Sequence, residues 1–228
     1  LDLECIGIMG GEPFMNPDLK NWLHGLRELL PNTQIRLPTN GLLLHKHMDV
    51  VDYMNDIGNC ILKISYHVDN TTLRRTIKQI MNAYDFRPVT EYGINRWSTT
   101  NNFKFQINNP TKFLQSYKGD YSTMSPHDSD PQEAFSTCVC QRCAFLHDNK
   151  LFKCSIAGLT PELHKRFNRP NNQQWQPYLN TGADINCSDT VLDQFVKNFG
   201  KPHAMCRQCP TMKDSKSIID HKTTVAFK

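Results

Sequence analysis

Several features that would assign a protein to a particular class are missing from this sequence. It contains no run of about eighteen apolar residues, so it predicts no transmembrane span. Its lysines and arginines form no block of about five or more, and the formal net charge is only +4, which does not favour binding to nucleic acid. The first residues also lack the basic stretch and the cleavage site of a signal peptide.

What the sequence does contain is an uneven distribution of 9 cysteines. Cys5 and Cys60 lie in apolar, strand-like segments, and we expect Cys5 to be buried. All the others fall between Cys138 and Cys209. An odd number of cysteines with C-x-C-x-x-C and C-x-x-C spacings favours metal ligation in a reducing compartment over disulfides, so we expect a cytoplasmic protein.

Helical and strand-like segments alternate through the first half of the chain. Asn16 is the predicted N-cap of an amphipathic helix that continues through Trp22 to Pro31, a second helix ends at Gly58, and Asn70 or Thr71 begins a third. The segments between and after these helices predict strands: "TQIRLPTNG", "CILKISYHV", "RPVTEYGI" and "FKFQINN". This alternation implies an α/β fold with a mainly parallel sheet, in which ligands bind at the carboxyl ends of the strands.

The later part of the chain has a different character. Residues 115–137 are rich in Ser, Asp, Pro and Gly, which predicts a linker or loop. Beyond them, the pattern predicts one clear helix, over residues 189–199.

Two turns follow successive predicted strands and should lie side by side at one edge of the sheet. In Gly10-Gly11-Glu12-Pro13, the two glycines allow unusual backbone dihedrals and let a ligand approach the backbone closely. Pro13 favours an extended Glu12, so that the carboxylate and neighbouring carbonyls can accept hydrogen bonds from an ammonium group. The second turn is Thr39-Asn40-Gly41. Each segment is also compatible with a simple turn in which no ligand is involved.

A G-G-E-P turn and a T-N-G turn separated by one helix resemble the S-adenosylmethionine (SAM) radical enzyme family. The resemblance implies an incomplete (β/α)6 partial barrel with mainly parallel strands. It also implies that the SAM ammonium group lies near Gly10, Gly11, Glu12 and Pro13, beside a rim formed by Thr39, Asn40 and Gly41. Ser65, near the end of the third strand, is a further candidate for SAM contacts, or else a strand serine that faces a neighbour.

One departure from the family pattern is large. The C-x3-C-x2-C signature, which holds the SAM-binding [4Fe-4S] cluster in that family, does not occur among these residues. Because the sequence begins at Leu1 inside a strand-like segment, we interpret it as lacking its natural N-terminus and expect the signature upstream. We therefore place no catalytic residue in this chain and expect the chain alone to be inactive.

The cysteine-rich segment combines two C-x-x-C pairs with a predicted hairpin. Cys138, Cys140 and Cys143 precede a hairpin whose turn lies at residues 148–150, with Cys154 on its returning strand. "CRQCP" supplies Cys206 and Cys209 later in the chain. Thiolates at these spacings suit zinc or an iron–sulfur cluster, and their chemistry alone does not separate the two.

This segment is similar to the SPASM or twitch extensions of radical SAM enzymes. The similarity implies a small cysteine-rich α+β extension with one auxiliary [4Fe-4S] cluster, held by four of five thiols: Cys140, Cys143, Cys154, Cys206 and Cys209. Cys138 is an alternative ligand or part of a second site. Cys187 has no partner spacing, so we interpret it as structural.

The sequence thus predicts a radical SAM partial barrel at 1–114, a linker or loop at 115–137, a SPASM/twitch-like domain at 138–214 and a C-terminal tail at 215–228. The resemblance implies that the intact enzyme cleaves SAM to a 5′-deoxyadenosyl radical, which abstracts hydrogen from an unknown peptide or small-molecule substrate. It also implies an electron donor such as flavodoxin or ferredoxin. The competing hypothesis is a non-catalytic, zinc-stapled α/β binding module.

Overall fold

The first half of the chain folds around a six-stranded, mostly parallel sheet and is mixed α/β. The computed structural model describes residues 3–89, 96–108, 112–120, 122–167, 173–214 and 216–217. The chain divides into two compact units, one containing the residues up to Thr111 and the other covering Lys112–Ser217.

The helices and strands of the first unit follow one another in the predicted alternation. They are β1 (Cys5–Gly7), α1 (Leu19–Leu29), β2 (Gln34–Thr39), α2 (Met48–Ile57), β3 (Cys60–Ser65), α3 (Thr71–Ala83), β4 (Arg87–Pro88), β5 (Arg96–Ser98) and β6 (Lys104–Asn108). The strand order in the sheet is β1-β2-β3-β6-β5-β4. Neighbouring strands are parallel from β1 to β6, and the β6–β5 and β5–β4 pairs are antiparallel.

One face of this sheet forms the core of the unit. Alternate residues of the central strands, among them Ile35, Leu37, Leu62 and Ile64, are completely buried on that face. The three helices bury their apolar residues in the same cluster: Leu19, Leu23, Val50, Val51, Met54, Leu73 and Ile80. All three helices therefore pack on one side of the sheet, as right-handed crossovers between successive neighbouring strands require.

The helix ends agree with the sequence in two cases and differ in one. Asn70 caps α3 by accepting a hydrogen bond from the Leu73 N–H at 3.0 Å, and Gly58, with φ +61°, ends α2. The predicted start of α1 at Asn16 is wrong, because a 3-10 turn over Pro13–Met15 comes first. The Asn16 side chain accepts instead from the Asp18 N–H at 3.0 Å, and α1 begins at Leu19.

Two other details of the first unit depart from the predictions. The helical spacing of the apolar residues places Trp22 on the same face of α1 as Leu19 and Leu23, but it is 59% exposed. The strand predicted over 87–94 is reduced to β4, with residues 90–94 outside the described part of the chain. The strand that continues the parallel sheet beside β3 is β6.

The second unit combines helices with short antiparallel strands. They are β7 (Lys112–Phe113), α4 (Pro131–Thr137), β8 (Phe145–His147), β9 (Lys150–Phe152), α5 (Ser155–Arg166), β10 (Ala183–Asp184), α6 (Asp189–Asn198) and β11 (Lys216–Ser217). Strands β10, β9 and β8 form one sheet, and β11 pairs with β7. Its core centres on Phe152, Trp175 and Met205.

The sequence predicted the helices and strands of the second unit less completely than those of the first. The predicted hairpin is present, with Asp148 and Asn149 at φ +47° and +57° in its turn. Helix α6 is present at the predicted place, although none of its residues is buried. The sequence missed α5, and it missed α4 within residues 115–137, where it predicted a linker or loop.

Two further observations complete the fold. No helix in the described ranges is both long and apolar enough to cross a membrane. Of the predicted C-terminal tail, residues 215 and 218–228 lie outside the described residues.

Candidate functional site

The Glu12 carboxylate connects the two turns that the sequence singled out. Its Oε1 accepts a hydrogen bond from the Thr39 hydroxyl at 2.7 Å, and its Oε2 accepts from the Asn40 N–H at 2.8 Å. The Phe14 N–H also donates to Oε1, at 3.3 Å. A carboxylate has about four lone-pair positions, so roughly one remains for a further donor. The two turns are therefore adjacent at the carboxyl ends of β1 and β2.

The Thr39-Asn40-Gly41 turn is fixed by its own hydrogen bonds. The Thr39 hydroxyl oxygen accepts from the Gly41 N–H, and the Asn40 side-chain oxygen accepts from the Leu42 N–H, both at 2.9 Å. Gly41 has φ +79°, and a Cβ there would lie 2.7 Å from Leu73 Cδ1 on α3. Glycine at this position is thus required by the fold itself.

Gly10 and Gly11 differ from Gly41 both in backbone conformation and in the space around them. Neither has a left-handed φ. A Cβ at either position would meet no atom within 4 Å, and both residues are exposed. The packing of the described residues therefore does not require glycine here, and the backbone at the end of β1 is open to approach from outside.

The remaining predicted residues of this edge have separate places. Glu12 is extended, with φ −147° and ψ 113°, as the following Pro13 predicts, and Pro13 itself is buried. Ser65 is half-buried at the end of β3, paired in register with Asn108 of β6. Within the described residues, no hydrogen bond joins Ser65 to the Glu12 network.

The cysteines of the second unit come from three segments. Cys138 is the C-cap of α4, Cys140 lies in the turn that follows, and Cys143 comes directly after that turn. Cys154 is the N-cap of α5, two residues after β9, so the prediction that it lies on the returning strand is wrong. Cys206 lies in a 3-10 segment, Ala204–Gln208, and Cys209 follows directly.

Backbone pairing brings the last of these segments towards the first. The His127 N–H donates to the Gln208 carbonyl at 3.1 Å, and the Ser129 N–H donates to the Arg207 carbonyl at 2.9 Å. Helix α4, which begins at Pro131, packs on the same 3-10 segment. The C-x-x-C pair near the end of the unit is thereby held beside the helix that leads into Cys138.

The thiols of these segments are close enough to influence each other's protonation. A hydrogen bond between the side chains of Cys138 and Cys140 lowers the pKa of Cys138 to about 6 and raises the pKa of Cys140. Burial raises the pKa of the Cys154 thiol. Burial, followed by the charges of Cys154, Cys138 and Cys206, raises the pKa of Cys209 to about 12. Several thiolates would repel one another here unless a bound cation neutralised them.

The arrangement of the thiols stops short of a coordination site. Within the described ranges, no group of three or more His, Cys, Asp or Glu side chains is positioned to hold a metal ion. The type of donor nevertheless fits a soft metal or an iron–sulfur cluster, because thiolates prefer both.

The other two cysteines of interest lie outside this group. Cys5, expected to be buried, is half-buried, because β1 is an edge strand with one neighbour. Cys187 lies between β10 and α6, and its N–H donates to the Asp184 carbonyl at 3.0 Å.

Sequence reasoning missed one residue beside the thiols. Lys153 precedes Cys154, and its charge helps to lower the pKa of Cys138. Its ammonium group lies 5.0 Å from the centre of the Phe135 ring and donates a hydrogen bond to the Lys201 carbonyl. The sequence signal for Lys153 was its position next to Cys154, a predicted ligand.

Comparison with known proteins gives no family for this chain. No protein-family model matches the sequence, and no curated protein is significantly similar to it.

Proposed function

We propose that this chain is the SAM-binding and auxiliary-cluster part of a radical SAM enzyme. The observation that carries the proposal is the hydrogen-bonded junction of Glu12 with Thr39 and Asn40, beside open backbone at Gly10 and Gly11. The junction lies where parallel sheets bind ligands, at the carboxyl ends of two neighbouring strands.

The junction offers the acceptors that an ammonium group needs. Three hydrogen bonds hold the Glu12 carboxylate in position before a ligand arrives. Gly10 and Gly11 are exposed and no atom lies within 4 Å of a Cβ built at either, so we propose their backbone carbonyls as further acceptors. These acceptors would bind and orient the SAM ammonium group, and Ser65 is a further polar group at the same edge.

The order of the strands supports the partial barrel that the proposal requires. Successive parallel strands β1, β2, β3 and β6 are added in one direction, and α1 to α3 pack on one face. Doubly wound sheets reverse the direction of addition and carry helices on both faces, whereas barrels keep one direction and one outer layer of helices.

In the second unit, we propose that four of Cys140, Cys143, Cys154, Cys206 and Cys209 hold an auxiliary [4Fe-4S] cluster, with Cys138 as the alternative ligand. Such a cluster, when bound, supplies electron transfer or a site for substrate. The chain's own contribution is to present mostly half-buried thiols from three segments and to place the Lys153 ammonium group beside them. The raised pKa values of Cys154 and Cys209 mean that ligation must release protons.

A zinc-stapled binding module is the second candidate. Thiolates also suit zinc, and a structural zinc would hold the same three segments together. In that case the two glycine turns would bind no ligand.

The proposal is tested by equilibrium dialysis of radiolabelled SAM against the 228-residue chain. We expect weak but saturable binding, reduced about tenfold or more in Gly10→Ala/Gly11→Ala because the added methyl groups occupy the open space beside the backbone. Gly25→Ala, an exposed change on α1 with no atom within 4 Å of the new Cβ, is the matched control. Absence of saturable binding, or equal retention by the double variant, would contradict the proposal.

A further inference from the structure

Helix α6 has an apolar face that the second unit does not cover. Val191, Phe195 and Phe199, the C-cap residue, recur at four-residue spacing and share this face. No side chain of α6 is buried, and among the described residues none of them belongs to the apolar core of the unit. An amphipathic helix in a folded domain normally buries its apolar face. This face of α6 is therefore available for a contact outside the described part of the chain.

A cleft of about 530 Å³ adjoins this face. It is bounded by α6, by residues 180–183 and by Lys153, His203 and Met205, and we call it the α6 cleft. The surface exposed to the cleft is mostly apolar, with a few polar groups. Sites for small molecules commonly measure about 300–1,000 Å³ and combine apolar walls with a few polar groups, so the α6 cleft has the size and character of such a site.

The apolar surface of the α6 cleft is largely preformed. Met205 is 5% exposed and belongs to the core of the unit. Gly182 packs so closely on Phe152 that a Cβ there would lie 2.6 Å from Cε1 of that ring. On the helix side, the rings of Phe195 and Phe199 stack with their centres 6.2 Å apart and their planes at 21°. Two neighbouring rings beside a fixed wall suit a flat, apolar ligand group.

Lys153 supplies the charge of the α6 cleft. It is the one charged side chain among the described residues that line the cleft, which include no aspartate or glutamate. Its ammonium group donates a hydrogen bond to the Lys201 carbonyl and contacts the Phe135 ring, and it forms no ion pair with the described residues. An ammonium group has three N–H donors, so donors remain for an anionic ligand.

His203 adds a neutral donor to the same cleft. Its Nδ1 accepts a hydrogen bond from the Met205 N–H at 3.3 Å, so the proton of the neutral ring is on Nε2. Burial, followed by the charge of Lys153, lowers the pKa of His203, which keeps the ring neutral at about pH 7. A ring N–H and an ammonium group in one cleft can together bind the oxygens of a single anionic group.

We propose that the α6 cleft binds a small molecule that carries an aromatic ring and one anionic oxygen group. The ring packs on Phe195 and Phe199, and the anionic group accepts hydrogen bonds from Lys153 and His203. Because Lys153 directly precedes Cys154, the ligand lies beside the candidate cluster ligands. The inference rests on the proposed function only where it makes this molecule the substrate, since binding itself requires neither SAM nor a cluster.

Isothermal titration of the 228-residue chain with three probes at low ionic strength tests the inference. Indole-3-acetate has both the ring and the anionic group, indole-3-acetamide has only the ring, and acetate has only the anionic group. We expect saturable binding of indole-3-acetate, binding of the amide weaker by about tenfold, and no saturable binding of acetate. No saturable binding of indole-3-acetate, or equal affinities for the acid and the amide, would overturn the inference.

Substitutions at the two kinds of contact separate their contributions. Lys153→Met should lower the affinity for indole-3-acetate to that for the amide, because the charge of the cleft is lost. Phe195→Ala should weaken the binding of both indole probes by about tenfold or more, because their ring loses its apolar contact.

Two residues of α6 that do not line the cleft provide the controls. Lys197→Met removes a positive charge, and Val196→Ala removes apolar surface at a residue that is 48% exposed. Both variants should bind the probes as the wild type does. A control that weakens binding as much as its counterpart would overturn the inference. If Lys153→Met loses the circular dichroism spectrum of the wild type, Phe195→Ala and its control decide.

The outcome is separable from that of the proposed function. Gly10→Ala/Gly11→Ala should weaken SAM binding and retain the binding of indole-3-acetate. Binding of indole-3-acetate without any SAM binding would support the inference and contradict the proposed function, and the reverse result would do the opposite.

Discussion

At the scale of single residues, glycine serves two purposes at the candidate SAM edge. Gly41 is required internally, because its φ is +79° and a Cβ would press on Leu73 of α3. Gly10 and Gly11 have negative or extended backbone angles and empty space around them. Where an added side chain would contact no other atom, a substitution should leave stability unchanged. Its effect would then show only in ligand binding.

We therefore expect opposite results from alanine at these positions. Gly41→Ala should lower the free energy of unfolding by about 1–3 kcal/mol, since the new methyl group is both strained and crowded. Gly11→Ala should change it by less than about 0.5 kcal/mol. Urea unfolding followed by circular dichroism measures both. A loss for Gly11→Ala as large as that for Gly41→Ala would mean that Gly11 also has a folding role.

At the scale of elements, the Arg27 side chain contacts the ends of two helices at the edge opposite the candidate site. The Arg27 guanidinium donates to the carbonyls of Leu30, Pro31 and Thr33 at 2.8–3.2 Å, and to those of Gly58 and Asn59 at 3.0 and 3.2 Å. It therefore satisfies carbonyls after α1 and after α2 with one planar group.

Arg27→Gln should destabilise the first unit by about 2–4 kcal/mol, because several half-buried carbonyls lose their donor at once. Arg27→Lys should recover only part of the loss, since a single ammonium group cannot reach both sets. Urea unfolding again measures the effect, and Arg75→Gln on the exposed side of α3 is the matched control. Equal stability of Arg27→Gln and the control would contradict this role.

A second link between elements predicts a dependence on alkaline pH. Burial, then a hydrogen bond to Asp52 of α2, raises the pKa of Tyr84 well above its ordinary value. The folded chain holds the phenol proton more tightly than the unfolded chain, so this stabilisation is complete below about pH 10 and is lost as the pH rises further. Wild type should therefore lose stability above pH 10 more steeply than Tyr84→Phe.

Thermal unfolding midpoints measured between about pH 8 and pH 11 would show the difference in slope. Asp52→Asn keeps the phenol buried but removes the carboxylate, so it should retain part of the wild-type slope. Identical slopes for wild type and Tyr84→Phe would show that the phenol does not carry the effect.

At the scale of the whole molecule, the sequence predicted the structure best where a single physical rule decides the local fold. The alternation of strand-like and helical segments predicted the parallel part of the first unit, and Asn70 caps α3 as predicted. The adjacency of Glu12 and Thr39 followed because consecutive parallel strands end at the same edge. Hydrogen bonding by the Glu12 carboxylate to the second turn could not be read from the sequence, since it depends on side-chain orientation.

The second unit was less predictable because its elements are short and depend on tertiary contacts. Helix α5 carries Pro161 in its interior, which sequence patterns treat as a helix breaker, yet the helix is held against the hairpin. Gly158 allows this packing, because a Cβ there would lie 2.5 Å from Phe145 Cδ1. Because α5 begins at Ser155, Cys154 is its N-cap and does not lie on the strand that the sequence predicted.

The most direct measurement on the central proposal is the metal and sulfide content of the 228-residue chain after anaerobic incubation with ferrous iron and sulfide. The radical SAM account predicts a brown protein with about four irons and four sulfides per chain. The colour should be lost in Cys154→Ala and Cys209→Ala and kept in Cys187→Ala. A colourless protein that holds about one zinc per chain would contradict the account and favour the zinc-stapled binding module.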